Sequence, residues 1–265
     1  MEVHHHASAE KKRFKEYFLE FLMLFLAVTL GFFAENIREN FTEKRQLHEY
    51  MDQMVENLKA DTLRYSQAIH SNVTSFALLD SLRRQITDAA TGRQNIRLLY
   101  YYYISFGNRG FSEVLVKDAA MVQMKSSGAM RLIENKNLTG QILEYYDRWA
   151  IALKIYQEQS EDLQKICNQN CNQFFDSQYF DYLISHEPST SFNVDTAILS
   201  RIEQIKQTSQ HLELLNTNSI DLRKLNNTIS DLEKGIYSNQ LFIKHNKKFA
   251  ESLISSIRKE FKLES

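Results

Sequence analysis

From Phe21 to Ala34 the chain reads Phe-Leu-Met-Leu-Phe-Leu-Ala-Val-Thr-Leu-Gly-Phe-Phe-Ala, fourteen residues without a charge. Tyr17, Phe18 and Leu19 extend it behind the single Glu20, so Tyr17 to Ala34 makes eighteen residues. That is near the lower limit of about 17–25 for a helix that spans a bilayer. Phe21, Leu22, Leu24, Phe25, Leu26, Val28, Leu30, Phe32 and Phe33 put apolar surface on every face, the pattern expected of a membrane anchor in contact with lipid. Glu20 lies near one end, where a carboxylate can reach the interface or be neutralised.

Two other readings compete. A cleavable signal peptide would place small residues before its cut site, but this segment ends Gly31-Phe32-Phe33-Ala34 and runs into a charged helical pattern. A buried core helix would suit fourteen uncharged residues, yet it would not need the basic cluster Lys11, Lys12, Arg13 and Lys15 just upstream. An uncleaved anchor is therefore expected. Downstream, Arg38, Lys44 and Arg45 are interleaved with Glu35, Glu39 and Glu43, so the excess positive charge is on the N-terminal side. The positive-inside bias then keeps the N-terminus in the cytoplasm and the rest of the chain outside.

Working outward, the 265 residues contain 7 Gly and 1 Pro, where average usage would give roughly thirty. So few turn formers cannot supply the tight turns of a sandwich, barrel or doubly wound sheet, nor a glycine-rich phosphate loop. Long helices remain, and the fold expected is all-α: one N-terminal transmembrane helix continuing into a long-helix bundle with coiled-coil-like packing. The layout expected is a basic N-terminus at 1–16, the transmembrane helix at 17–36, a helical bundle at 37–187, and C-terminal long helices at 188–265 packing on the same bundle.

After the span, Leu47, Tyr50, Met51, Met54, Val55, Leu58 and Leu63 recur mostly at three- and four-residue intervals, and the stripe continues through Ile69, Val73, Phe76, Leu79 and Leu82. This helix should end near Thr91-Gly92. A short helix then carries Ile96 to Tyr103 and ends at Gly107-Asn108-Arg109-Gly110. Ser112 is placed to cap a helix from Glu113 to about Ser127, with Leu115, Ala119 and Val122 as its apolar contacts, and Gly128 breaks it. Asn137 can cap a long helix running towards Ile184, in which Ile142, Trp149, Tyr156 and Leu163 fall seven apart, as do Tyr146, Leu153 and Cys167 with Ser160 interrupting. The loop His186 to Ser191 leads to a helix from about Asp195 to Leu215, then a break at Asn216 to Ser219.

The last helix has the cleanest repeat. Leu222, Ile229, Ile236, Ile243, Ala250 and Ile257 fall seven apart, with Leu225, Leu232 and Leu253 on the companion row beside Asn239 and Asn246. Ordinary bundle packing would leave the two asparagines near the surface. A coiled coil would bury them to fix register or subunit number.

Two stretches resemble a known family. The anchor followed by Ala34-Glu35-Asn36-Ile37-Arg38-Glu39, and the run Lys125-Ser126-Ser127-Gly128-Ala129-Met130-Arg131-Leu132-Ile133 with Asn135, Leu138 and Leu143-Glu144-Tyr145-Tyr146, look like a domain-of-unknown-function family of single-span, helical Gram-negative envelope proteins. The resemblance covers roughly residues 12–150 and implies anchoring in an inner membrane. It brings no activity and no catalytic residue.

Site chemistry is sparse. The formal net charge of -1 supplies no general attraction for nucleic acid. Cys167 and Cys171, the two cysteines, cannot form a disulfide framework, and at i,i+4 they share a helix face as core or interface thiols. The alternative is a metal or redox pair completed by His186 or a second subunit. His48, His70, His186, His211 and His245 are scattered without metal-ligand spacing, and Glu158 and Asp162 read as solvated charges on one helix face. His4, His5 and His6 read as an incidental tail. No cofactor, metal or catalytic residue is assigned, and catalysis is not expected. Tyr100, Tyr101, Tyr102 and Tyr103 point around a whole helix circumference. Their bland reading is two buried and two lying at the surface, and their functional reading is an interaction surface. The expected function is a membrane-anchored periplasmic scaffold or interaction subunit of an envelope complex. Its partners would be membrane lipid and another envelope protein or a second copy. The alternative is a periplasmic ligand-sensing bundle that signals through a partner.

Overall fold

The computed structural model describes residues 14–109, 113–179, 203, 205–207 and 211–263. Among them every regular element is helical, apart from one isolated antiparallel bridge between Phe175 and Leu214. The protein is all-α.

Helix α1 runs unbroken from Phe14 to Ala90, 77 residues or about 115 Å at 1.5 Å per residue. No Gly or Pro lies between Gly31 and Gly92, so nothing interrupts the hydrogen-bond ladder. It ends where the sequence predicts. Gly92 takes φ +79, a left-handed conformation that glycine adopts freely, and its N–H donates to the carbonyl of Ala89 at 3.0 Å.

Helix α2 spans Ile96–Arg109 and α3 spans Ala119–Ser127. The helix expected from Glu113 begins six residues late. Residues 113–118 thread between other elements without regular structure, because the Lys117 N–H is taken by the Asp61 carboxylate at 3.1 Å and the Val114 carbonyl by Gln157 at 3.4 Å. The contacts of α3 are correspondingly different. Ala120, Met121 and Met124 are buried, while Leu115 and Val122 stand exposed. The break at Gly128 is present, with φ +72.

After a 3-10 turn at Ala129–Leu132, α4 covers Lys136–Leu143, a π-helical turn covers Glu144–Trp149, and α5 covers Ala150–Cys171. The cap of α4 is Asn135, two residues before the expected Asn137. Extended backbone at Asn135 lets its side chain accept from the N–H groups of Asn137 and Leu138. The rod stops at Cys171, well short of Ile184, in a turn that buries Phe174 and Phe175. The helix expected over 195–215 is contradicted at its C-terminal end, where 211–218 carries the bridge to Phe175 and no helix; among the described residues before it, Glu203 is helical and a 3-10 turn covers Ile205–Gln207. The Leu215 N–H is engaged by the carbonyl of Phe174 at 2.9 Å, which holds this stretch straight. The loop at His186 to Ser191 lies outside the described residues. The final helix, α6, spans Ser219–Phe261 behind the cap Asn218, whose side chain accepts from Ile220 and Asp221.

Apart from Glu233 and Gln240, the buried residues of α6 alternate at three and four, from Leu222 and Leu225 through Asn239 and Asn246 to Leu253 and Ile257. Both asparagines are fully buried rather than near the surface. The buried face of α1 follows the same alternation: Leu47, Met51, Met54, Leu58, Asp61, Tyr65, Ala68, Asn72, Ser75, Leu79, Leu82, Ile86, Ala89. This corrects the sequence-drawn stripe. Leu63, Val73 and Phe76 lie on the exposed side, and their places in the seam are taken by Asp61, Asn72 and Ser75.

The two seams meet antiparallel. His48 Nε2 lies 3.2 Å from the Phe261 carbonyl, and Arg83 donates to Asn226 Oδ1 at 3.2 Å near the other end. Arg83 also pairs with the buried Glu233. Helix α5 packs along α6, stacking Tyr156 on Phe242 with ring centroids 3.9 Å apart, and Trp149 at the end of the π turn meets His245 at a tilt with centroids 4.0 Å apart. Gly235 permits this approach, since a Cβ there would sit 2.6 Å from Leu163 Cδ1. Nothing in the structure explains Gly140. Two apolar clusters result. One holds Leu47 to Ala68 of α1 with Ile243 to Ile257 of α6, and the other holds Leu79 to Ala89 with Leu222 to Ile236 and α2.

Substituting Asn218→Ala removes the N-cap of α6 and is expected to lower the unfolding free energy by about 1 kcal/mol. Denaturant titration of the detergent-solubilised chain by circular dichroism reads this, and an unchanged midpoint would show that the cap contributes nothing.

Candidate functional site

The anchor residues lie at the head of α1, where an 18-residue window is long and apolar enough to cross a membrane and none of it is buried by the rest of the chain. Phe21, Leu22, Leu24, Phe25, Leu26, Val28, Leu30, Phe32 and Phe33 are all exposed. Among the described residues no part of this chain covers the window, as the core of a bundle would.

The tyrosine run is spent largely inside the chain. Tyr100 is buried, and its hydroxyl donates to the Glu213 carbonyl at 2.7 Å while accepting from the Asp176 N–H at 2.9 Å. Burial pushes its pKa up to about 12. Tyr101 donates to Glu203 Oε1 at 2.8 Å beneath the Lys206 ammonium, 3.8 Å from its ring. Tyr103 stacks on Phe175 at 4.1 Å. Tyr102 is half-buried, its ring 5.1 Å from that of Tyr101. The run pins the segments that follow α5 and precede α6 to the far end of α1.

Cys167 and Cys171 are buried free thiols in the second cluster, one helical turn apart on α5. Their interaction lowers the Cys167 thiol and, together with burial, holds the Cys171 thiol well above its ordinary pKa. His186 lies outside the described residues. Among those described, no group of three or more His, Cys, Asp or Glu side chains could hold a metal ion.

A site that the sequence reading missed is built around the π-helical turn. The wider turn buries the neighbours Tyr145 and Tyr146 together, their rings edge to face with centroids 4.8 Å apart. Tyr145 reaches Asp61 Oδ2 at 3.1 Å and shares a hydrogen bond with Tyr65 at 3.0 Å. Asp61 is fully buried and also accepts from the Lys117 N–H, with Arg64 3.6 Å from Oδ1. Desolvation pushes its pKa up to about 6, against the lowering effect of the Lys117 and Tyr145 hydrogen bonds. Burial likewise raises the three tyrosines above their ordinary values. A strict seven-residue count from Leu47 through Met54 lands on Asp61, and one from Met51 through Leu58 lands on Tyr65. That count was the available signal.

Beside this network lies a cleft of about 500 Å³ between residues 113–125 and the π turn with α5. Val114, Met121 and Tyr146 lie buried along it, and Leu115, Val122 and Ile151 stand exposed. Tyr146 is 6% exposed, and its hydroxyl has no hydrogen-bond partner. Glu113 and Glu161 both line the cleft, and interaction with Glu161 raises the Glu113 pKa. Lys125 pairs with Asp147 at 2.8 Å and Lys154 with Glu158 at 3.9 Å.

No protein-family model, curated protein or solved structure matches the chain. What fold and site define is an all-α protein carrying, among the described residues, one helix long and apolar enough to cross a membrane, with an acid-rimmed cleft in the bundle that follows it.

The Asp61 shift carries a sign. The folded chain holds this proton more tightly than the unfolded chain, so Asp61 favours folding most below pH about 4 and loses that contribution as pH rises to about 6. Asp61→Asn removes the titration. Its stability relative to the parent is expected to rise by about 2–3 kcal/mol between pH 4 and 6.5 and to level off above, as read by thermal melts across pH. A flat difference would show that Asp61 does not titrate in this range.

Proposed function

We propose that this chain is a membrane-anchored, non-enzymatic scaffold or interaction subunit of an envelope complex. The observation that carries the reading is the wholly exposed apolar window at the head of α1, on a helix that continues unbroken into the bundle. Exposed surface of that kind needs lipid or another apolar environment. The 55 residues from Asn36 to Ala90 place the tip turn about 80 Å beyond the anchor. The charge flanking the anchor directs the N-terminus to the cytoplasm and the bundle to the periplasm of an inner membrane. Family membership with single-span Gram-negative envelope proteins, expected from residues 34–39 and 125–146, belongs to the same proposal.

A second reading, a periplasmic bundle that senses a ligand and signals through a partner, is favoured by the cleft beside Tyr146, whose volume falls in the range of small-molecule sites.

Topology and assembly have separate tests. A fluorescent reporter that matures only in the cytoplasm, fused after Ser265, is expected to stay dark, and fluorescence there would reverse the orientation. Lysine-directed crosslinking in native membranes is expected to convert the chain into defined higher-mass adducts. A chain that stays monomeric after crosslinking and gentle extraction would remove the scaffold reading.

A further inference from the structure

The cleft has more acids than bases on its walls: Glu113, Asp118, Asp147, Glu158 and Glu161 against Lys125 and Lys154. Both lysines are already paired with Asp147 and Glu158. Glu113, Glu161 and Asp118 have no basic partner among the described residues. Carboxyl groups lining one cleft with no basic partner form a place where an incoming cation is favoured and an anionic lipid or nucleic acid is repelled. The apolar part is equally open: Leu115, Val122 and Ile151 are 76%, 55% and 54% exposed. Below them, Tyr146 holds a buried hydroxyl with no partner, which a bound polar group would satisfy.

Shape decides the size of the occupant. From Tyr146 to Glu161 the wall is about 22 Å long at 1.5 Å per residue. Small ligands are enclosed on most sides, whereas a long open trough with apolar anchors and a charged rim is the form that receives an amphipathic segment. Resting on the interaction-subunit reading, we infer that this cleft docks a basic amphipathic segment of a partner protein. Its aliphatic side chains lie over Leu115, Val122 and Ile151, and its Lys or Arg side chains meet Glu113, Glu161 and Asp118.

The test uses the full chain in phosphatidylcholine nanodiscs with a photo-crosslinking residue at Ile151, and a synthetic Leu/Lys amphipathic peptide of about 15 residues, the length of the trough as a helix. A covalent peptide adduct is expected, with half-saturation shifted about tenfold weaker in the triple variant Glu113→Gln, Asp118→Asn, Glu161→Gln. Tyr146→Phe separates docking from folding. Deleting a hydroxyl that has no partner leaves the melting temperature of the free chain unchanged or slightly raised, but weakens the peptide adduct roughly threefold to tenfold. Equal adduct yield in the triple variant, or with a peptide carrying Glu in place of Lys, would overturn the proposal. So would an adduct to lipid alone, or complete competition by spermidine at matched charge, which would point to a small amine.

In native membranes the same probe should give a heterologous adduct mapping to a basic amphipathic segment, and an adduct to a second copy of this chain would count against it. A control probe at the exposed Ile220 of α6 keeps the two readings apart. Adducts from Ile220 with silence at Ile151 sink the cleft and spare the scaffold, while silence at both sinks the two together.

Discussion

The antiparallel meeting of α1 and α6 is the constraint from which the rest of the bundle follows. Each helix presents a seam in which three- and four-residue steps alternate without a slip, from Leu47 to Ala89 on one and Leu222 to Ile257 on the other. A seven-residue repeat held over that length keeps both seams facing each other. Each fully buried Leu or Ile in them stabilises the fold by about 1.5–3 kcal/mol relative to exposure. Helices α2 and α5 then cover the flanks that the seam leaves open, and the 113–118 segment is stitched across the gap by Asp61, Arg64 and Gln157.

The middle of the seam is polar. Asn72 and Ser75 of α1, Ser160 of α5 and Asn239 of α6 are all buried at the level where the two apolar clusters part. Neither amide atom of Asn239 has a hydrogen-bond partner, and an unsatisfied buried amide costs about 1–3 kcal/mol. A slip of one heptad would bring Asn239 level with Leu79 and Leu82 and set Asn72 and Ser75 against aliphatic side chains, so the buried polar residues of the two helices share one level only in this alignment.

This polar waist also explains where the sequence was readable. In α6 the repeat is almost wholly aliphatic, and its span and aliphatic rows were legible, whereas the burial of Asn239 and Asn246 was not, because the same spacing serves surface asparagines of a bundle. In α1 the repeat passes through Asp61, Asn72 and Ser75, so a reading that follows apolar residues strays onto Leu63, Val73 and Phe76 and leaves the true face. The tip at Gly92 and the break at Gly128 were legible because a left-handed backbone has a local signature. The path of 113–118 was not, because it is decided by Asp61, some 56 residues away in sequence. The cleft was illegible for the same reason. Its carboxylates and apolar wall come from two stretches with no pattern in common. Asn135 and Asn137 were hard to tell apart because both can cap, and only the backbone at the junction chooses between them.

The unbroken course of α1 has a mechanical meaning. Between Gly31 and the turn at Gly92 no Gly or Pro interrupts the rod, and beyond Leu47 it is braced along its seam by α6. Rotation or tilt of the braced part is therefore passed along the helix toward its apolar end, where Phe21, Phe25 and Phe32 share one face. The molecule is built as a stiff lever, whose long arm is the bundle and whose short arm is the apolar end.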